Sequence, residues 1–136
     1  MGEWRHDTPW RQGHILSDDA LRLLFPAAGN DGFNAALVIS HDCDLAQLPD
    51  AEPNAEIILG NRIEKLDGTY SHAKNARRLH LSCTKGDVHI CVEMRATRKA
   101  LIEKERLADF QPNTTTRLTA NENSILQRWL AARYSR

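Results

Sequence analysis

Residues 41–44, His41-Asp42-Cys43-Asp44, place an imidazole, a thiol and two carboxylates directly after the apolar run Ala35-Ala36-Leu37-Val38-Ile39-Ser40. A rigid strand that delivers such groups to one spot is a common way to build a site. Alternate residues of an extended segment point the same way, so His41 and Cys43 share a side. Those two are metal-ligand types, and His80 and Cys91 supply further donors of the same kind. No Cys-x-x-Cys or His-x-x-x-His spacing accompanies them, so no metal centre and no cofactor is expected; His41, Cys43 and Cys91 are the weak candidates. Cys43 as a nucleophile needs a base within hydrogen-bond reach. The flanking carboxylates disfavour its thiolate, which weighs against that role. The structural alternative is a strand end whose turn amides are bound by Asp42 and Asp44.

The second concentration of chemistry runs from Tyr70 to His80. It holds Tyr70, His72, Lys74, Asn75, Arg77, Arg78 and His80, and no acid occurs between Asp67 and Asp87. Arginine forks hold phosphate bidentately, and an aromatic ring stacks on a base. Arg95, Arg98 and Lys99 add charge further on. Within this set His80, Arg77 and His41 are the candidate catalytic residues. Tyr70, Lys74, Asn75, Arg78 and Asp44 are the candidate substrate-binding residues. A histidine beside a bound phosphate has the chemistry to take the proton of a ribose hydroxyl, with an arginine stabilising the phosphorane charge. The plain alternative for the same segment is a solvated loop and strand face.

The elements that must position these groups are legible in outline. Residues 1–12 read as an extended lead-in whose Trp4 and Trp10 pack on the domain edge. Gly13-His14-Ile15-Leu16 suggests a short strand. Ser17 followed by Asp18 and Asp19 marks a helix start, with Leu21, Leu24 and Phe25 on one apolar face and a stop at Pro26 to Gly29. The run 35–40 is continuously apolar, which predicts a strand covered on both faces. Residues 41–54 read as a loop. Ile57-Ile58-Leu59 reads as a strand, and Arg62 to Leu66 as another that turns at Asp67-Gly68 into Thr69-Tyr70-Ser71. Leu79, Leu81 and Cys83 alternate with polar residues, as do Val88, Ile90, Val92 and Met94. A turn at Lys85-Gly86 then pairs Cys83 with Val88 and Leu81 with Ile90, and sets His80 against Cys91 and Ser82 against His89. Residues 95–110 read as an extended or partly helical connection, and 111–117 as a loop. Thr119-Ala120-Asn121-Glu122 is a capping box for a final helix over 119–135. Ile125, Leu126, Trp129 and Leu130 form its apolar face, extended by Tyr134, with Arg133 at its C-terminal end.

The totals fit this picture. The chain of 136 residues is long enough for one domain spanning 1–136. Lysine plus arginine equals aspartate plus glutamate, 18 each, so no global field favours nucleic acid or membrane, and any basic patch is local. No apolar run reaches the ~20 residues of a membrane helix. The opening residues show no apolar signal region, which makes the cytoplasm the expected location. The 3 cysteines form an odd set, which argues for free thiols rather than a disulfide framework. The expected fold class is α+β: a small antiparallel β-barrel with a short N-terminal helix and a C-terminal helix.

That order of elements resembles the MazF/PemK-like family, an SH3-like barrel with a C-terminal helix. The likeness rests on Gly13-His14-Ile15-Leu16, on Ala36-Leu37-Val38-Ile39-Ser40, on Ala55-Glu56-Ile57-Ile58-Leu59, on the hairpin at Lys85-Gly86, and on the final amphipathic helix. It covers roughly residues 12–136. The resemblance implies a homodimeric toxin, a metal-independent endoribonuclease acting on mRNA, and an antitoxin as protein partner. The family's Arg-Pro pair before the Ala-Leu-Val strand is Phe33-Asn34-Ala35 here. Its Thr/Ser after the next strand is replaced by Gly60-Asn61-Arg62. The leading expectation is therefore an RNA-binding protein of this kind, with cleavage open. The alternative is a non-enzymatic interaction or regulatory accessory module of a phage- or plasmid-linked system.

Overall fold

A computed structural model describes residues 2–134, apart from the side chains of Arg133 and Tyr134. The roles expected for those two side chains, and the last residue of the expected helix, lie outside the described residues. The elements in chain order are α1 (Asp18–Leu24), β1 (Ala35–Val38), α2 (Asp42–Leu45), β2 (Asn54–Ile63), β3 (Arg78–Lys85), β4 (Val88–Glu103), α3 (Lys104–Leu107), β5 (Thr116–Leu118) and α4 (Ala120–Tyr134). All strands pair antiparallel in one sheet of order β1-β2-β4-β3-β5. The sheet curls around α4, so that Leu37 of β1 and Leu81 of β3 join one apolar cluster with Leu126 and Trp129. The fold class is α+β, and the sheet is a half-barrel. β1 and β5 remain its two ends, so pairing of the named strands does not close a barrel.

β1 is buried at every position, and its residues alternate between two cores. Ala35 and Leu37 join Ile58, Leu79, Met94 and the α4 face. Ala36 and Val38 join Ile57, Ile102, α1 and the N-terminal segment. A strand clamped between two layers has no polar side, which is why its sequence does not alternate. Trp4 and Trp10 belong to the second core rather than to the domain edge, at 3% and 1% exposure. Their indole N–H groups donate to the carbonyls of Leu45 and Phe110, which makes so much aromatic burial possible without an orphan donor.

Both predicted helix caps are present. Ser17 Oγ accepts from the Ala20 amide, and Thr119 Oγ1 accepts from the Glu122 amide. The Glu122 carboxylate does not return to its own cap. It accepts the Ser82 amide of β3, beyond the short stretch where β5 pairs, and burial pushes its carboxyl up. Ile125, Leu126, Trp129 and Leu130 are all buried, each contributing about 1.5–3 kcal/mol of apolar burial.

Several expected strands differ. β2 is one strand from Asn54 to Ile63, and residues 64–77 form a long loop instead of a hairpin at Asp67-Gly68. Asp67 Oδ1 accepts the Thr69 amide, which turns the chain locally without pairing two strands. β4 runs far past the predicted end, through the 95–103 connection, and is 16 residues long. It manages this by a large irregularity. Ile58 faces Lys99 and Gly60 faces Met94, so two steps along β2 match five along β4. The odd offset exchanges the two faces of β4: Val92 and Met94 lie in the α4 core, whereas Ile102 lies in the other. The segment after His41 holds the short helix α2 rather than continuous loop.

Candidate nucleic-acid interface

The β3–β4 hairpin turns at Gly86-Asp87, two residues later in register than expected. Gly86 has φ +61°, which suits the first central position of a tight hairpin turn and fixes Lys85 opposite Val88. The shift of two keeps every side chain on its predicted face but changes its partner. Cys83 faces Ile90, Leu81 faces Val92, Ser82 faces Cys91, and His80 faces Glu93 rather than Cys91. Glu93 is the member of this group that sequence reading missed. The signal was there: a two-residue turn that opens on the glycine, Gly86-Asp87, gives the correct pairing.

His80 is 5% exposed and both of its ring nitrogens are engaged. Nδ1 accepts the Asp67 amide at 3.0 Å, and Nε2 lies 2.9 Å from Glu93 Oε2. An amide donor at Nδ1 requires a lone pair there, so the proton sits on Nε2 and is donated to the carboxylate. Glu93 Oε1 also accepts from Arg95 Nε at 3.1 Å. Burial alone would raise the Glu93 carboxyl, but the hydrogen bonds from His80 and Arg95 and the charge of Arg78 hold it below its usual range. The imidazole thus works as a bolt through the 64–77 loop. Around it, Ser71 Oγ donates to the Asp67 carbonyl, and the His80 amide donates to the Tyr70 carbonyl. The Tyr70 ring packs on the His80 ring at 5.0 Å between centroids.

This anchoring presents the cations. Arg78 lies over the Tyr70 ring at 5.5 Å and directly opposite Arg95 across the β3–β4 ladder. Asn75 Oδ1 accepts the amides of Arg77 and Arg78 at 2.8 and 3.2 Å, and the Asn75 carbonyl takes the Trp129 indole N–H at 2.7 Å. Asn75 therefore sets the backbone that carries the arginines and ties it to α4. Arg77, Lys74 and Arg98 are exposed, and Arg98 lies 5.4 Å over the Phe33 ring. His72 and Ala73 both have positive φ, 58° and 61°, which turns the chain sharply between Tyr70 and Lys74.

His80→Ala is expected to lower stability by about 2–4 kcal/mol, because it strands the Asp67 amide and leaves Glu93 with fewer donors. Chemical denaturation measures the loss, and hydrogen exchange at the Asp67 amide reports release of the loop. A carboxyl held below its ordinary value stabilises the fold above that value and loses the contribution as pH falls through the lowered one. The parent's advantage over the variant is therefore expected to shrink below pH 4.5.

The structure brings together Tyr70, Lys74, Asn75, Arg77, Arg78 and His80. His41, Cys43 and Asp44 lie elsewhere, just after β1, and β2 and β4 stand between β1 and β3 in the sheet. All three are exposed. His41 caps α2 by backbone conformation without a side-chain bond. Asp42 accepts the distant Gln12 amide at 2.8 Å, so it ties the strand end to the N-terminal segment rather than binding a turn amide of its own junction. Asp44 contributes its backbone carbonyl, to Lys104. Cys91 is half-buried beside Ser82, and burial pushes the Cys83 thiol up to about 12. Among the described residues no three histidine, cysteine or acidic side chains gather as a metal site requires. A cavity of about 260 Å³ opens between α1 and the chain leading to β1, lined by Leu21, Phe25, Phe33 and Arg62, apart from the basic loop. No helix among the described residues is long and apolar enough to cross a membrane. Comparison with family models and with curated proteins finds no match for the chain.

Proposed function

We propose that this protein binds single-stranded RNA through the 70–78 loop and the adjoining Arg95–Lys99 stretch of β4. The observation that carries the reading is the direct facing of Arg78 and Arg95 on neighbouring strands. Like charges in that position repel. The nearby carboxylate Glu93 is shared between Arg95 and His80. Such a pair, with Arg77 and Lys74 exposed beside it, is stabilised by a bound anion, and Tyr70 beneath Arg78 adds an aromatic surface for a base. A curled antiparallel sheet with a final helix is compatible with a MazF/PemK-like, SH3-like architecture, which we keep as part of the proposal together with a cytoplasmic location and a protein partner.

Binding without cleavage is the form this geometry favours. For His80 to act as a base, Nε2 would have to leave Glu93 and surrender its proton from a 5% exposed position. Arg77→Ala combined with Arg78→Ala is expected to weaken binding of a labelled RNA oligonucleotide about tenfold or more. Total RNA incubated with the parent protein is expected to stay intact. Equal binding by the double variant removes the proposal. Cleavage that survives His80→Gln would place a catalytic centre elsewhere.

A further inference from the structure

The cavity beside α1 is left unused by the RNA-binding reading. Its volume is about 260 Å³, below the ~300 Å³ at which pockets for drug-sized ligands begin, so it has room for one ring or one branched chain with a polar head. The sequence makes its inner wall apolar. Leu21 and the capping Phe25 lie one turn apart on α1, Pro26 follows them, and Phe33 lines the wall from the far end of the turn. Hydrogen bonds hold these walls in place. The Phe33 amide donates to the Ala28 carbonyl, which folds the turn back on itself. Asn61 Nδ2 donates to the Gly32 carbonyl, and Asn34 Oδ1 accepts the Arg62 amide at 2.7 Å. The turn is thereby joined to the end of β2, and the cavity is built without a ligand.

The charges at the mouth select the polar head. Arg22, Arg62 and Asp18 line the cavity, so cations outnumber carboxylates there. Arg62 Nη2 lies 2.8 Å from Asp18 Oδ1, and Arg22 Nη2 lies 2.8 Å from Asp19 Oδ1. The side chains of Asp18 and Asp19 are 73% and 74% exposed, so both pairs stand in water, where exchanging one carboxylate for another costs little. Asp18 brings no apolar surface into the cavity. An acid that carries a ring or a branched chain does, and the burial of that group adds to the same ion pair. We propose that the cavity binds a small organic acid, its apolar part against Leu21, Phe25 and Phe33 and its carboxylate on the Arg62 guanidinium in place of Asp18. The site stands apart from the RNA-binding reading, since no lining residue belongs to the 70–78 loop or to β4.

Phenylacetate and isovalerate are the probes, titrated into the isotope-labelled full chain and followed by NMR. At least one is expected to give saturable shifts at the amides of residues 21–34 and at Arg62 Nε, with millimolar or tighter affinity. The uncharged amide of that probe is expected to bind about tenfold more weakly or worse. Arg62→Gln is expected to abolish this preference for acid over amide. Asp18→Asn is expected to tighten binding of the acid about two- to fivefold, because it removes the carboxylate that competes for Arg62. A merely structural role of the ion pair gives no such gain. Gly29 also lines the cavity, its φ is not positive, and a Cβ there meets nothing within 4 Å. Gly29→Leu is therefore expected to fold as the parent does and to block the probe. Absence of saturable shifts at these residues with both acids overturns the proposal. Equal binding of acid and amide, or weaker binding of the acid by Asp18→Asn, overturns it as well.

Discussion

Gly60→Ala is expected to cost at least about 3–4 kcal/mol or to prevent folding. A Cβ at position 60 would lie 2.1 Å from the Glu93 carbonyl oxygen and 2.7 Å from Met94 Sδ. The first contact is between the Cβ and a backbone oxygen, so no rotamer change relieves it. The two strands would have to part at the rung that begins the β4 irregularity and carries the carboxylate bonded to His80. The missing side chain is thus what allows β4 to press against β2 while changing faces. Gly68→Ala is the matched control: a Cβ there meets nothing within 4 Å, and stability is expected to move by no more than about 0.5 kcal/mol. Thermal and urea unfolding of the two variants measure the contrast.

Lys104→Met is expected to destabilise by about 2–5 kcal/mol. Lys104 is fully buried, and its Nζ donates to the carbonyls of Asp44 and Gln47 at 2.6 and 2.9 Å while lying 5.6 Å over the Trp4 ring. The carbonyls of Leu45 and Ala46 between them are taken by Trp4 Nε1 and His6 Nδ1. A helix of 4 residues leaves its last carbonyls short of internal partners, and here four side-chain bonds reach four successive carbonyls, of which that of Asp44 also takes the Gln47 amide. Methionine keeps the apolar stem and removes both donors, so the loss isolates the hydrogen bonds from the packing. Burial lowers the Lys104 ammonium from its ordinary 10.5. The folded chain then releases this proton at lower pH than the unfolded chain does. The parent's stability relative to Lys104→Met should therefore rise as pH climbs through the window ending near 10.5.

Lys104 also shows where sequence reading stops. A lysine between Glu103 and Glu105 looks like a surface residue, and only the docking of α2 against α3 explains its burial. The caps at Ser17 and Thr119, the doubly covered β1 and the apolar face of α4 were legible, because each depends on local bonding or on period alone. The 64–77 loop was not. Asp67-Gly68 has the composition of a hairpin turn, but His80, 13 residues later, claims the Asp67 amide and holds the segment as a loop. The cations of the site were visible as a run without acids. The carboxylate that organises them, Glu93, needed the hairpin register. The continuation of β4 through 95–103 was hidden by its change of face at Gly60, which breaks the alternation a strand normally displays.

The central claim is that the Arg77–Arg78–Arg95 face holds RNA phosphates. Salt dependence tests it most directly, because each phosphate contact releases bound counterions. Removing two such contacts to a single strand is expected to make the slope of log affinity against log salt shallower by about 1.4, at roughly 0.7 per contact. The measurement is a titration of one RNA oligonucleotide against the parent and the Arg77→Ala/Arg78→Ala variant over a series of salt concentrations. The result in agreement is a variant line that is both lower and flatter. Parallel lines, or no binding by the parent at low salt, would contradict it.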